Sequence, residues 1–243
     1  MLDLFHLPPS RNADVQVFRS SANSIGALRW IKPRGYTMVS ILLGGGGGGG
    51  GSGYNASGTG CGGGGGGSSG SLRMVLPLCL LPDYLILDIG KGGAGGTSGN
   101  NDAANGGSTI LYWPSVSTTL ISMPGGGLGT NGAAGDSSGT AGAAGSIATV
   151  TGILAQLGIA VTIAGNAGST GRSGTNNVGG IDDRLFCRGA GGSGNANGGG
   201  LSPPPIYAYL PSVVAAATGG NSGKDGYAVF PAAIYAGLSN GAP

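Results

Sequence analysis

Charge is scarce in this chain. Only 8% of its 243 residues are Asp, Glu, Lys or Arg, where an ordinary soluble domain carries about 25%. The 11 basic and 9 acidic residues leave a net charge of +2, too little to build a basic face, which argues against a nucleic-acid partner. There is a single histidine, His6, placed in a terminal segment just before Pro8 and Pro9, so no base stands downstream of a serine or cysteine nucleophile. The three cysteines, Cys61, Cys79 and Cys187, are odd in number and show no C-x-x-C spacing. That pattern suggests neither a disulfide framework nor a zinc site, and implies buried or half-buried thiols. A basic region ahead of the apolar residues Leu2, Leu4, Phe5 and Leu7 is missing, so a secretion signal is not expected. Nowhere does a long apolar period of 3.6 residues point to a helical layer.

Glycine is abundant instead. The 58 Gly and 13 Pro make up about 29% of the chain, against roughly 12% in average proteins. Disordered chains combine such a bias with low hydrophobicity and high net charge. Here 40% of residues are hydrophobic and the mean hydropathy is +0.19, which reads as a folded chain with glycine-rich parts. Short apolar runs lead repeatedly into glycine: Tyr36–Leu43 into Gly44–Gly51, Tyr84–Ile89 into Gly90–Gly96, and Thr119–Met123 into Gly125–Gly127. Ile159–Ala164 leads in the same way to Gly165, and Leu185–Cys187 to Gly189–Gly200. Strands of this length punctuated by turn residues predict an all-β fold, a jelly-roll-like β-sandwich with glycine-rich loops.

Two loops are periodic. Glycine recurs at every third residue from Gly165 to Gly174, and again at Gly132 and Gly135, then at Gly139, Gly142 and Gly145. A three-residue period fits a polyproline-II-type helix, with a side-chain-free edge on one face. Collagen does not follow, because the triplets are short, interrupted and without proline. Each ordered glycine loses about 0.5–1 kcal/mol more than alanine. The loops must therefore either stay mobile or pack densely on one another and on neighbouring subunits. Dense packing is the expectation, and low charge points the same way, toward a large assembly.

The catalytic motifs are weak. Gly90-Lys91-Gly92-Gly93-Ala94-Gly95 matches a dinucleotide fingerprint, but the residues after it, Gly96 to Asp102, predict a loop where a helix is required. Gly66-Gly67-Ser68-Ser69-Gly70 matches a nucleophile elbow without the His that chemistry needs. Asp182-Asp183 beside Arg184 predicts a capped turn or ion pair, and Asp102 and Asp136 stand alone in polar loops. Catalytic residues, cofactor and metal are accordingly none. The uncharged stretch Ser146–Gly165 approaches membrane-spanning length but holds Gly152, Gln156 and Gly158 and lacks flanking anchors. It predicts a short helix or turn near Gly152–Gly158, then a buried strand Ile159–Ala164. Trp30 is expected in the core. Tyr54, Tyr112, Trp113, Tyr207 and Tyr209 are candidates for receptor or subunit contact, since adhesive loops present such side chains.

The run Trp30-Ile31-Lys32-Pro33-Arg34-Gly35-Tyr36, continuing through Leu43 into polyglycine, resembles the opening of the glycine-rich domain of tailed-bacteriophage virion proteins. Tyr84–Gly96 looks like that domain's second strand-and-glycine unit, and Gly223–Phe230 like its closing strand. The resemblance covers residues 28 to 230. It implies a β-sandwich used in tail fibres, receptor-binding tips or capsid appendages, often trimeric; some fibre-tip adhesins are similar in stacking polyglycine-II helices. It carries over no site residues. The expectation is a non-enzymatic structural virion protein, with Met1–Ala27 as a docking arm and residues 28–243 as the sandwich domain. Its expected partners are other virion proteins and copies of itself, a trimer favoured, with neither nucleic acid nor a membrane span. A receptor-binding adhesin recognising a host-surface glycan or outer-membrane protein is the alternative.

Overall fold

A computed structural model describes residues 13–20, 28–56, 59–61, 63–97, 103–114, 118–132, 139–157, 159–168, 170, 222–223 and 225–233. These form β1 (Ala13–Arg19), β2 (Leu28–Ile31), β3 (Met38–Gly44), β4 (Tyr54–Ala56), β5 (Thr59–Cys61), β6 (Ser71–Pro77), β7 (Tyr84–Asp88) and β8 (Thr109–Tyr112). There follow β9 (Thr119–Met123), β10 (Thr149–Val150), a short helix α1 (Gly152–Gln156), β11 (Val161–Ile163) and β12 (Tyr227–Ala233). Sheet I has the order β1-β12-β3-β6-β11 and sheet II the order β10-β9-β8-β7-β2, every pair antiparallel. The chain is thus the all-β sandwich its strand pattern predicts, and the expected strands at Tyr36–Leu43, Tyr84–Ile89 and Thr119–Met123 appear as β3, β7 and β9.

Alternation sorts the faces. Along β6, Leu72, Met74 and Leu76 point into the sandwich while Ser71, Arg73, Val75 and Pro77 point out, the two-residue period of a half-buried strand. Val39, Ile41 and Leu43 do the same on β3, and Leu85 and Leu87 meet them from β7. Trp30 is fully buried, as expected, and stacks on Phe230 with ring centroids 5.3 Å apart, while Phe18 meets Phe230 edge-on at 5.8 Å. On one open side, the Gln16 side-chain amide substitutes for a neighbouring strand. Its Nε2 donates to the Ile31 carbonyl at 2.9 Å and its Oε1 accepts from the Ile31 amide at 3.4 Å, tying β1 of sheet I to β2 of sheet II. On the opposite side α1 closes the gap by burying Leu154, and Gly152 there has φ +62°, a conformation side chains rarely adopt.

Ala13–Arg19, inside the segment expected to be a docking arm, forms a strand pairing with β12, because Asp14, Gln16 and Phe18 alternate with outward Val15 and Val17. Two expectations need correction. The strand near Ile159–Ala164 exists as β11, but it lies at the edge of sheet I with Val161 exposed, so it is not a buried strand. Cys79 is exposed on the 3₁₀ turn Leu78–Leu80, where Leu78 is the buried member, and so it is not a buried thiol. Cys187, Leu185–Cys187, His6, Asp102, Asp136 and Asp182-Asp183 lie outside the described residues. Among the described residues no helix is long and apolar enough to cross a membrane.

Truncating the stacked aromatic pair tests this core. Phe230→Ala is expected to cost about 3–5 kcal/mol in unfolding free energy, read from the midpoint shift in urea.

Candidate functional site: a backbone lattice of glycine

Eight strands of the two sheets run at one end into, or arise from, glycine-rich segments, and these eight segments pack together. Segments 44–52, 90–97, 124–132 and 164–168 leave the sandwich, while 63–70, 103–108, 139–148 and 222–226 return to it. Neighbours are therefore mostly antiparallel. They are joined by backbone hydrogen bonds of 2.7–3.1 Å that recur every third residue. Gly48 and Gly51 donate to the carbonyls of Gly67 and Gly64; Gly46 and Gly49 donate to those of Gly107 and Ala104. In return the carbonyls of Gly47 and Gly50 accept from Gly93 and Gly96, and those of Gly46 and Gly49 from Gly126 and Gly129. Successive residues thus bond in different directions around the axis, the period of a helix with three residues per turn. At about 3.1 Å per residue, segment 44–52 extends on the order of 28 Å from the sheets.

Position in this lattice explains composition. Segments 44–52 and 63–70 are buried at every residue, and both are glycine or serine throughout. A Cβ built on Gly48 would stand 1.9 Å from the Gly127 carbonyl oxygen, on Gly49 1.9 Å from that of Ala94, and on Gly64 1.8 Å from that of Thr140. Outer segments are buried only at every third position: Gly90, Gly93 and Gly96, or Gly126, Gly129 and Gly132, or Gly139, Gly142 and Gly145. Between those glycines side chains such as Lys91, Ala94 and Ala144 face outward and are exposed. Polyglycine therefore marks the two inner segments and the Gly-x-x repeat marks the perimeter.

Polar side chains satisfy the lattice where backbone partners run out. Buried Thr109, at the joint with the sheets, donates from Oγ1 to the Gly44 carbonyl at 2.8 Å and accepts from the Gly90 amide at 3.1 Å. At the remote end Asn131 Oδ1 accepts from both the amide and the hydroxyl of Ser52, at 3.0 and 3.1 Å. Asn105 Oδ1 accepts from Leu128 at 2.8 Å and Asp225 Oδ1 from Gly92 at 2.7 Å. The two catalytic-looking motifs dissolve into this structure. Gly90 and Gly93 of the dinucleotide-like run are lattice positions. Ser68 of the elbow-like run is fully buried, its Oγ accepting from the Asn166 amide at 2.8 Å. No group of three or more His, Cys, Asp or Glu side chains is gathered among the described residues.

This much bare backbone decides the relationship. A family model described as a glycine-rich domain matches residues 21–242. The chain belongs to that family. No curated protein matches it. Within the glycine-rich domain the candidate aromatics are spread apart. Tyr54 opens β4, beyond the remote end of segment 44–52. Tyr112 ends β8 on the outer face of sheet II, and Trp113 packs against the core next to it, both at the end of that strand away from the lattice. Tyr207 and Tyr209 lie outside the described residues. Sequence reading overlooked Thr109 and Asn131, whose signal was a lone polar residue at the border of a glycine run.

Two measurements follow. Gly67→Ala, with a Cβ 1.9 Å from the Ala143 carbonyl oxygen, is expected to destabilise by about 3 kcal/mol or more, beyond ordinary overpacking. Ala144→Ser, on the exposed perimeter, should stay within about 0.5 kcal/mol, both read by thermal unfolding. Burial, and then the nearby Asp88 carboxylate, raise the Tyr112 pKa above its ordinary value of 10.0. The folded state thus holds that proton more tightly than the unfolded chain, so stability falls as pH rises from about 10 through the folded pKa. Spectrophotometric titration of Asp88→Asn should show Tyr112 ionising at lower pH than in the parent, with a smaller alkaline loss of stability.

Proposed function

We propose that this glycine-rich domain is a non-enzymatic structural component of a bacteriophage virion, assembled as a homo-oligomer on the capsid or tail. The observation that carries the reading is the lattice itself. Its interior consists of main chain with a few serine hydroxyls, a construction that yields stiffness and holds no reactive groups. The likeness of Trp30–Gly44, Tyr84–Gly96 and Gly223–Phe230 to the glycine-rich domain of tailed-phage virion proteins supports the particle as its setting. On this reading the sandwich is the base that contacts other virion proteins, and the lattice is a spacer.

An adhesin is the second reading, and one feature favours it. Segments 44–52, 90–97, 124–132 and 164–168 all end, and 63–70, 103–108, 139–148 and 222–226 all begin, on the side remote from the sheets. Segment ends gathered on one side of a rigid support are where a scaffold carries binding loops. Host-surface glycan or outer-membrane protein would be bound there, with Tyr54 nearest among the described aromatics.

Immunogold labelling of purified particles with antibody to the chain is expected to mark a fixed position on capsid or tail. Label confined to soluble lysate protein would overturn the structural reading. Excess purified chain added to host cells should block adsorption if the second reading holds, and should leave it unchanged if the role is structural only.

A further inference from the structure

The two outer faces of the sandwich differ in chemistry. Sheet II presents Arg29, Tyr84, Asp88, Tyr112, Thr119 and Ser122 outward, a mainly polar dressing in which Ile31, Ile86 and Ile110 are the apolar members. Sheet I carries apolar residues on its outer side in all five strands, with Leu42 of central β3 shielded to 5% exposure and Arg19 charged at the end of β1. One cross-strand row reads Val17, Val229, Leu42, Arg73, Val161, and the next reads Val15, Pro231, Ser40, Val75. Exposure concentrates at the two borders, with Val15 and Val17 at 55% and 50% on β1 and Val161 at 60% on β11. The borders also differ in shape. The β1 border offers protruding valines. The β11 border holds an open groove of about 410 Å³ lined by Arg73, Met74, Val75, Ile159 and Val161.

A protrusion and a groove on opposite borders of one face are the elements of a self-complementary contact, in which residue i meets j and j meets i about a two-fold axis. We propose that sheet I packs face to face on sheet I of a second copy, the Val15–Val17 border of each seated in the β11 groove of the other. With the axis along central β3, Val17 meets Val161 twice, and each Arg73 lies over the β12 column, beside Tyr227 and Val229, away from its own counterpart. The cation is then placed near an aromatic ring and not against a like charge. Four seven-residue strands of about 23 Å and the three-residue β11, spaced about 4.8 Å, give a face on the order of 500 Å². Two such faces bury roughly 1,000 Å², the scale at which a specific interface begins. The pairing rests on the homo-oligomeric reading above and names its surface, with a two-fold dimer in place of the trimer the resemblance favours.

Light scattering on the purified chain across micromolar concentrations tests it. The parent is expected to run at twice the chain mass. Val17→Lys and Val161→Lys, both at exposed positions that folding tolerates, should each shift it to a monomer. Ile31→Lys, at an equally exposed apolar site (65%) on sheet II, should leave the dimer intact. Circular dichroism of each variant is expected to match the parent. An oligomer that persists in both sheet I variants, or one lost in Ile31→Lys instead, would overturn the face assignment while leaving the assembly reading in place. A parent that is monomeric throughout would overturn both.

Discussion

The rest of the structure depends on one interaction, the amide-to-carbonyl hydrogen bond between glycine segments so close that no Cβ fits between them. An individual backbone bond contributes only about 0.5–1.5 kcal/mol net, and ordering glycine is costly in entropy. The lattice is stable because these terms do not act singly. Each inner segment bonds on several sides at once, and every buried amide left unpaired would carry a desolvation penalty. Composition is a consequence: where neighbours surround a segment every residue is glycine or serine, and where solvent lies on one side only every third residue is constrained.

The sandwich supplies what the lattice lacks. Glycine helices bury little apolar surface, so the hydrophobic contribution comes from the sheets, through Trp30, Phe230, the leucines of β3, β6 and β7, and the plug of Leu154. Sheets set the spacing of the segments that grow from them. Thr109 couples the two regions, because its hydroxyl bonds a residue at the end of β3 and another just after β7. The Gln16 amide performs a comparable role on the open side, standing where a strand would otherwise be needed.

Much of this was legible in the amino-acid order. The strand-then-glycine alternation located β3, β7 and β9, and the Gly-x-x triplets matched the three-residue period of buried glycines. What triplets alone could not reveal was which segments neighbour which, since the contacts join residues far apart in the chain, such as Gly48 to Gly67 and Gly67 to Gly127. β1 was missed because an Asp and a Gln in its inward positions disguise the alternation. β11 reads as a buried strand because its run is β-branched and uncharged, and only sheet order reveals that it is an edge. The aromatic candidates were chosen by residue type, and type does not report distance: Tyr54 and Tyr112 belong to opposite ends of the molecule.

No loop intervenes where β3 becomes segment 44–52 or where 63–70 becomes β6; the residue that ends a strand is the neighbour of the first lattice glycine. A pull applied at the remote ends of these segments therefore travels along covalent chain into the sheet, and no loop at these two joints lets the projecting part swivel. Base and projection are mechanically one piece, so a tug or twist at the tip is felt at the foot instead of being absorbed on the way.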